Sequence, residues 1–188
     1  MIALVIVLVI VAAVVLIGLG AYNRLVGLRQ NANGAFADID VQLKQRQDLI
    51  PNLVETVKGY AAHERGTLDE VTAARTAATG ATTVEGKVQA ENVLTGALGR
   101  LMAVAEAYPQ LKANENFLQL QAELTDIENK LAAARRYFNN AVAEFNAQAQ
   151  RFPAVLFAAA MGFTQRDFFD LGQERATASV PPPVKFQA

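Results

Sequence analysis

The sequence predicts an all-α protein, an N-terminal transmembrane helix followed by an antiparallel up-and-down four-helix bundle. Three observations lead there. Residues 2–21, IALVIVLVIVAAVVLIGLGA, hold no charged or strongly polar side chain. From Tyr22 onward apolar residues recur three or four apart, and no alternating strand-like stretch of any length interrupts them. Alanine, the best helix former, is abundant, and the 188 residues include only six prolines. The expected organisation is a transmembrane anchor over 1–21, the bundle over 22–152, and a C-terminal segment over 153–188 that begins as an apolar cap and ends as an extended tail.

The anchor comes first. Twenty residues rise about 30 Å as a helix, the thickness of the bilayer hydrocarbon. The competing reading is a cleaved signal peptide, because Gly18 and Gly20 before Ala21 imitate a small-x-small site. No basic region precedes the run, however, and it is longer than a signal-peptide core. Positive charge lies only beyond it, at Arg24, Arg29, Lys44 and Arg46, a bias that favours a cytoplasmic body.

Four bundle helices follow. The first is expected over about 22–47, with Leu25, Leu28, Ala32, Ala35, Ile39 and Leu43 on one face. The second is expected over about 49–79 and stops at Gly80; the third over about 84–107, ended by Pro109, which forces Tyr108 out of helical geometry. The fourth carries Phe117, Leu120, Leu124, Ile127, Leu131, Ala134, Phe138, Val142, Phe145, Ala149 and Phe152 until Pro153 breaks it. Each helix has one apolar face that must be buried on another helix, and short connections make sequential neighbours antiparallel.

The stretch QRQDLIPNLVETVKGYAAHE, residues 45–64, contains the one difficult junction. Proline is tolerated in the first turn of a helix, and Asp48 can accept from the free amides there, so a tight hairpin at Asp48–Pro51 is expected. The alternative is one helix of roughly 58 residues, about 85 Å long, kinked at Pro51, whose apolar face its shorter partners would leave uncovered. Four alternating passes return the chain to the membrane, placing FPAVLFAAAMGF, residues 152–163, either in the interface or as a cap on the bundle; with no basic face in that segment, the cap is preferred. The ending SVPPPVKFQA reads as an extended tail.

Composition excludes several functions. A net charge of -1 lacks the basic footprint of a nucleic-acid binder. Without cysteine there are no disulfides, thiolate nucleophiles or thiolate metal sites, and a single histidine, His63, cannot supply a histidine pair. His63-Glu64 lacks the second histidine of a zinc-protease motif and reads as a surface group. GATTVEGK has Val88 where a phosphate loop needs Ser or Thr after Lys87, and the sole serine, Ser179, lies in the tail. Glu123, Asp126, Glu128, Arg135 and Arg136 read as an ion-paired helix surface. No catalytic, cofactor-binding or metal-binding residue is assigned, and no cofactor is expected.

Small residues recur every seventh position, Ala13, Gly20, Gly27 and Gly34 in one series and Gly59, Gly66, Ala73 and Gly80 in another. Glycine inside a helix costs about 1 kcal/mol relative to alanine, so such stripes suggest close helix approach. The preferred explanation is tight packing of the first two helices; the other is a self-association face.

The runs YNRLVGLRQNANGAFADIDVQLKQRQDLIPNLVETVKGYAAHE and LTDIENKLAAARRYFNNAV, with FPAVLFAAAMGF and the terminal PPPVKF, resemble the LemA family of bacterial membrane-anchored helical proteins over essentially the whole chain. Where some members carry a lipobox cysteine, this chain has GLGAYN, which excludes lipid anchoring. The resemblance implies a four-helix antiparallel bundle with no established catalytic activity, and roles in membrane scaffolding, envelope stress and partnership with membrane proteases. The expected function is therefore a non-enzymatic scaffold or adaptor at a bacterial membrane, with membrane lipid, protein partners and a second copy of the chain as binding partners; the alternative is a ligand- or metal-sensing receptor bundle.

Overall fold

A computed structural model describes residues 1–169 of the chain, which leaves the SVPPPVKFQA tail outside the described residues. The described residues are helical throughout their regular structure: α1 (Ile2–Lys58), α2 (Arg65–Gly80), α3 (Val84–Glu106), the short α4 (Pro109–Lys112), α5 (Glu115–Ala149) and a 3-10 turn over Ala154–Leu156. The helical class and the long apolar N-terminal helix are as the sequence predicts. Two compact units emerge. One comprises Met1–Gln42 and Asn129–Phe168, and the other is built on Leu43–Glu128.

The expected hairpin at Asp48–Pro51 is not formed. Helix α1 runs unbroken through Pro51 for 57 residues, and the chain reverses eight residues later, between Gly59 and Glu64. A proline inside a helix deprives the carbonyl four residues back of its amide partner. Here that carbonyl belongs to Gln47, and Arg75 of α2 donates Nε to it at 2.7 Å. A side chain thus supplies the hydrogen bond that the proline cannot. Asp48, expected as a helix cap, is instead an exposed mid-helix residue paired with Lys44 at 3.2 Å. The true corner tightens at its start, where the amides of Tyr60 and Ala61 both donate to the Val57 carbonyl.

In the unit built on Leu43–Glu128, four helical passes surround one core. Ile50, Leu53 and Val57 come from α1; Leu68, Val71, Ala74 and Ala78 from α2; Leu94, Leu98 and Leu101 from α3; Phe117, backed by Leu120 and Leu124, from α5. Polar contacts fix the directions. Close to the corner, Tyr60 Oη accepts from Asn114 Nδ2 at 3.0 Å, and Tyr108 Oη donates to Glu64 at 3.4 Å. At the opposite level, residues 46 and 47 meet residues 75, 91 and 128. Along α1 these two levels come in descending order of residue number, and along α5 in ascending order, so the two helices are antiparallel. The same test makes α2 antiparallel to α1 and α3 antiparallel to α2.

Local sequence explains the remaining boundaries. Thr83 caps α3 by accepting from the Gly86 amide at 3.0 Å, Pro109 sits in the first turn of α4, and Asn114 Oδ1 accepts from the Phe117 amide at 3.0 Å to open α5. Helix α2 ends at Gly80, as expected.

The other unit packs the N-terminal part of α1 against the C-terminal part of α5 and the segment after it. Leu25, Phe145, Ala149, Ala154, Ala158 and Phe163 form its core. Phe163 is the centre: Tyr22 meets its ring edge-on at 5.5 Å, Phe145 lies 6.4 Å away, and the Arg29 guanidinium sits 4.9 Å above it. Asn146 brackets the backbone of Arg166 with two 2.9 Å bonds, and Arg166 Nη1 donates to Asn33 Oδ1 at 2.6 Å. Gly162, at φ 76, makes the left-handed turn that directs Phe163 inward. Phe152, expected on the buried stripe, is 77% exposed because α5 ends at Ala149 before reaching it. The side chains from Met1 to Leu19 are almost uniformly exposed.

Tight packing of the glycine stripes is also overturned. A Cβ added at Gly20, Gly27, Gly34, Gly66 or Gly80 would meet nothing within 4 Å, so these positions face open space.

Because Arg75 and Pro51 act on one carbonyl, their substitutions should couple. Arg75→Met is expected to destabilise the chain by about 1–3 kcal/mol, the cost of stranding an acceptor. In a Pro51→Ala background the restored amide answers Gln47, and the same substitution should cost distinctly less. Chemical denaturation of the four variants, followed by circular dichroism, measures the coupling.

Candidate functional site

The densest chemistry lies around Arg46, which the heptad-like register places on the buried stripe of α1 between Leu43 and Ile50. Its side chain is 1% exposed, as is that of Glu91 on α3. Arg46 Nη1 donates to Glu91 Oε2 at 2.6 Å and Nη2 donates to Thr95 Oγ1 at 2.9 Å. Nε lies 2.7 Å from Glu128 Oε1, close enough for an ion pair, though it lacks the alignment of a hydrogen bond. Glu91 uses its second oxygen as well: Oε1 accepts from Gln47 Nε2 at 3.1 Å. Thr95 Oγ1 donates onward to the Glu91 carbonyl, 2.8 Å away, and so presents a lone pair to Arg46. Glu128, about two-fifths exposed, forms the wet rim of the cluster.

An arginine taken out of water demands this arrangement. Its guanidinium cannot shed its charge and offers a planar fork of five donors, which a carboxylate and a hydroxyl on α3 and a carboxylate on α5 answer from separate directions. The buried pair contributes little net stability over a well-packed apolar pair, yet removing one partner alone strands a charge. The arrangement holds three helices to one axial setting. It contains no nucleophile with an adjacent base, and its acceptors are engaged by neighbouring side chains.

Several side chains differ from their expected roles. Glu128 and Arg135 were expected on an ion-paired surface. Instead Glu128 joins the Arg46 cluster, and Arg135 is 9% exposed, on the buried stripe of α5 where Ala134 was expected. Glu123 is exposed, accepting from Gln119 at 2.9 Å, and Arg136 is exposed as expected. His63 lies exposed in the corner after α1. An open groove of about 430 Å³ beside it is lined by Glu55, Lys58, Arg65 and Asp69, charges of both signs, around Val54 and Leu68. Among the described residues no three His, Asp or Glu side chains are grouped to hold a metal ion. Arg46 and Glu91 escaped the sequence reading, but a signal for them existed: both are charged residues standing where a three-four apolar register calls for a hydrophobe.

A sequence profile described as LemA family matches residues 35–186. The chain belongs to the LemA family. The LemA match takes in Arg46, Glu91 and Glu128 and begins after the apolar N-terminal run. The chain is also similar to Magnetosome protein MamQ 1 of Paramagnetospirillum magneticum, 24% identical over 194 residues, which cover 88% of this chain and 70% of that protein. Magnetosome protein MamQ of Magnetospirillum gryphiswaldense is 24% identical over 189 residues, 87% of this chain and 70% of the relative. Protein LemA of Metamycoplasma hominis is 26% identical over 138 residues, 71% of this chain and 61% of the relative.

In this LemA-family chain, Glu91→Ala is expected to cost about 3–5 kcal/mol, since it leaves Arg46 buried without its main counter-charge. Replacing both members, Arg46→Met with Glu91→Leu, should recover most of that loss. Lys44→Ala, at an exposed pair, should stay within about 0.5 kcal/mol of the parent. Urea denaturation curves of the full chain in detergent distinguish the three.

Proposed function

We propose that this LemA-family chain is a non-enzymatic, single-pass membrane-anchored scaffold that organises protein partners at a bacterial membrane, its body on the cytoplasmic side. The observation that carries the reading is the N-terminal run of α1. Its side chains are apolar and exposed, it is long enough to cross a membrane, and it continues without a break into the helix that organises the body. A helix stretch that is apolar all round and left exposed among the described residues suits lipid. The Arg46 cluster supports structure rather than turnover, because its polar groups are spent on one another. The three relatives described above carry names that state no reaction.

Self-association belongs to the same proposal. Gly27 and Gly34 are exposed on one side of α1, with open space where a Cβ would stand, and a smooth strip of that kind lets a second helix approach closely. A ligand- or metal-sensing role would call for unanswered polar groups around a cavity, and the buried carboxylate Glu91 is answered by Arg46 and Gln47.

The sequence contains no cysteine, which makes single-cysteine crosslinking free of background. Gly27→Cys and Gly34→Cys in native membranes should each give a crosslinked dimer, whereas Val93→Cys, exposed on α3, should not. Monomer alone at both glycine positions removes self-association from the reading. Proximity labelling from the C-terminus tests the rest: a reproducible set of cytoplasmic-side membrane neighbours supports a scaffold, and labelling no different from that by a freely diffusing enzyme refutes it.

A further inference from the structure

The geometry points to a second membrane contact: residues 152–162 form a lipid-inserted element beside the anchor, and the groove between them takes acyl chains of the surrounding bilayer. The inference rests on the reading of residues 2–21 as the membrane span.

Depth decides it. Val15, Gly18, Leu19 and Tyr22, on one face of α1, line an apolar groove of about 330 Å³ together with Phe157 and Met161. Val15 lies six residues before the end of the apolar run at Ala21, about 9 Å along the helix axis. Phe157 and Met161 therefore share a groove with a stretch of α1 that, apart from Tyr22, lies within the apolar run. Residues 2–21 are apolar without interruption, so the level of Val15 lies inside the apolar run and not at its polar edge.

The chemistry of the segment agrees with its depth. From Phe152 to Thr164 no side chain is charged. Ala154, Ala158 and Phe163 are buried and fasten the segment to Leu25 and Phe145, so its placement does not depend on lipid. What remains outward is apolar and large: Phe152 is 77% exposed, Leu156 74%, Met161 56% and Val155 52%. Four such exposed side chains between residues 152 and 161 make an apolar patch that removal from water would stabilise. Exposed Arg24 and Arg151 flank the two polypeptide entries to this region and suit the anionic headgroup layer. One face of the segment packs on the core of its unit, and the other is left for lipid.

The sequence has no tryptophan, so single substitutions in the full chain serve as depth reporters in nanodiscs. Leu156→Trp probes the turn, Val9→Trp the anchor and Val93→Trp the aqueous body; all three positions are exposed, so the larger side chain meets no packing conflict. With lipids brominated on their acyl chains, Leu156→Trp should show blue-shifted emission and a loss of intensity comparable with that of Val9→Trp, while Val93→Trp keeps its intensity and is quenched by iodide. Iodide quenching of Leu156→Trp without bromolipid quenching would overturn the inference and leave the anchor standing. Blue-shifted emission that neither quencher reaches would overturn it in favour of a protein partner, including a second copy. If Val9→Trp itself escapes bromolipid, the anchor reading fails and the inference falls with it.

Discussion

A guanidinium sealed from water cannot go unanswered, and the unit built on Leu43–Glu128 is arranged around that requirement. Arg46 is nearly inaccessible, and its fork has fixed geometry, so α3 must present Glu91 and Thr95 at one height and α5 must present Glu128 at the same height. Apolar stripes alone would tolerate sliding, because Leu, Val and Ala fill similar holes one turn up or down. Desolvating both charges offsets most of their attraction, so the cluster contributes more to selecting one register than to the depth of the folded minimum.

The unit of Met1–Gln42 and Asn129–Phe168 solves its packing by a different route. It has an aromatic centre at Phe163, reached by Tyr22 and Phe145 rings and covered by Arg29. Polar groups there hold backbone in place: both side-chain groups of Asn146 are occupied by Arg166, whose own guanidinium reaches Asn33. A further ring pair, Phe36 with Phe138 at 5.4 Å, ties α1 to α5. Beyond its bare N-terminal run, the apolar face of α1 is thus covered differently along its length.

Features set by near neighbours were legible in the sequence; those set by distant ones were not. The apolar run, the stop at Gly80, the extended Tyr108 before Pro109 and the stripe of α5 each follow from residues within one or two turns. Pro51 misled because its local meaning, a helix start, is reversed by Arg75, twenty-four positions away and on another helix. Arg46, Glu91 and Arg135 were visible as charges, but reading them as buried requires trusting the three-four register above residue type. The glycine period was real, yet periodicity says only that residues share a side; what lies on that side is a tertiary matter, and here it is empty.

The Gln47 carbonyl left bare by Pro51 has a consequence for how the chain chooses among near-equivalent dockings. Along an ordinary helix every interior acceptor is already engaged, so a neighbouring helix finds a featureless cylinder. One vacant lone pair makes a single notch on it, and Arg75 is the key cut to fit: shift α2 by a residue and alanine or threonine arrives instead, with nothing long enough to turn the lock. The imino acid that should weaken the helix serves as its bookmark.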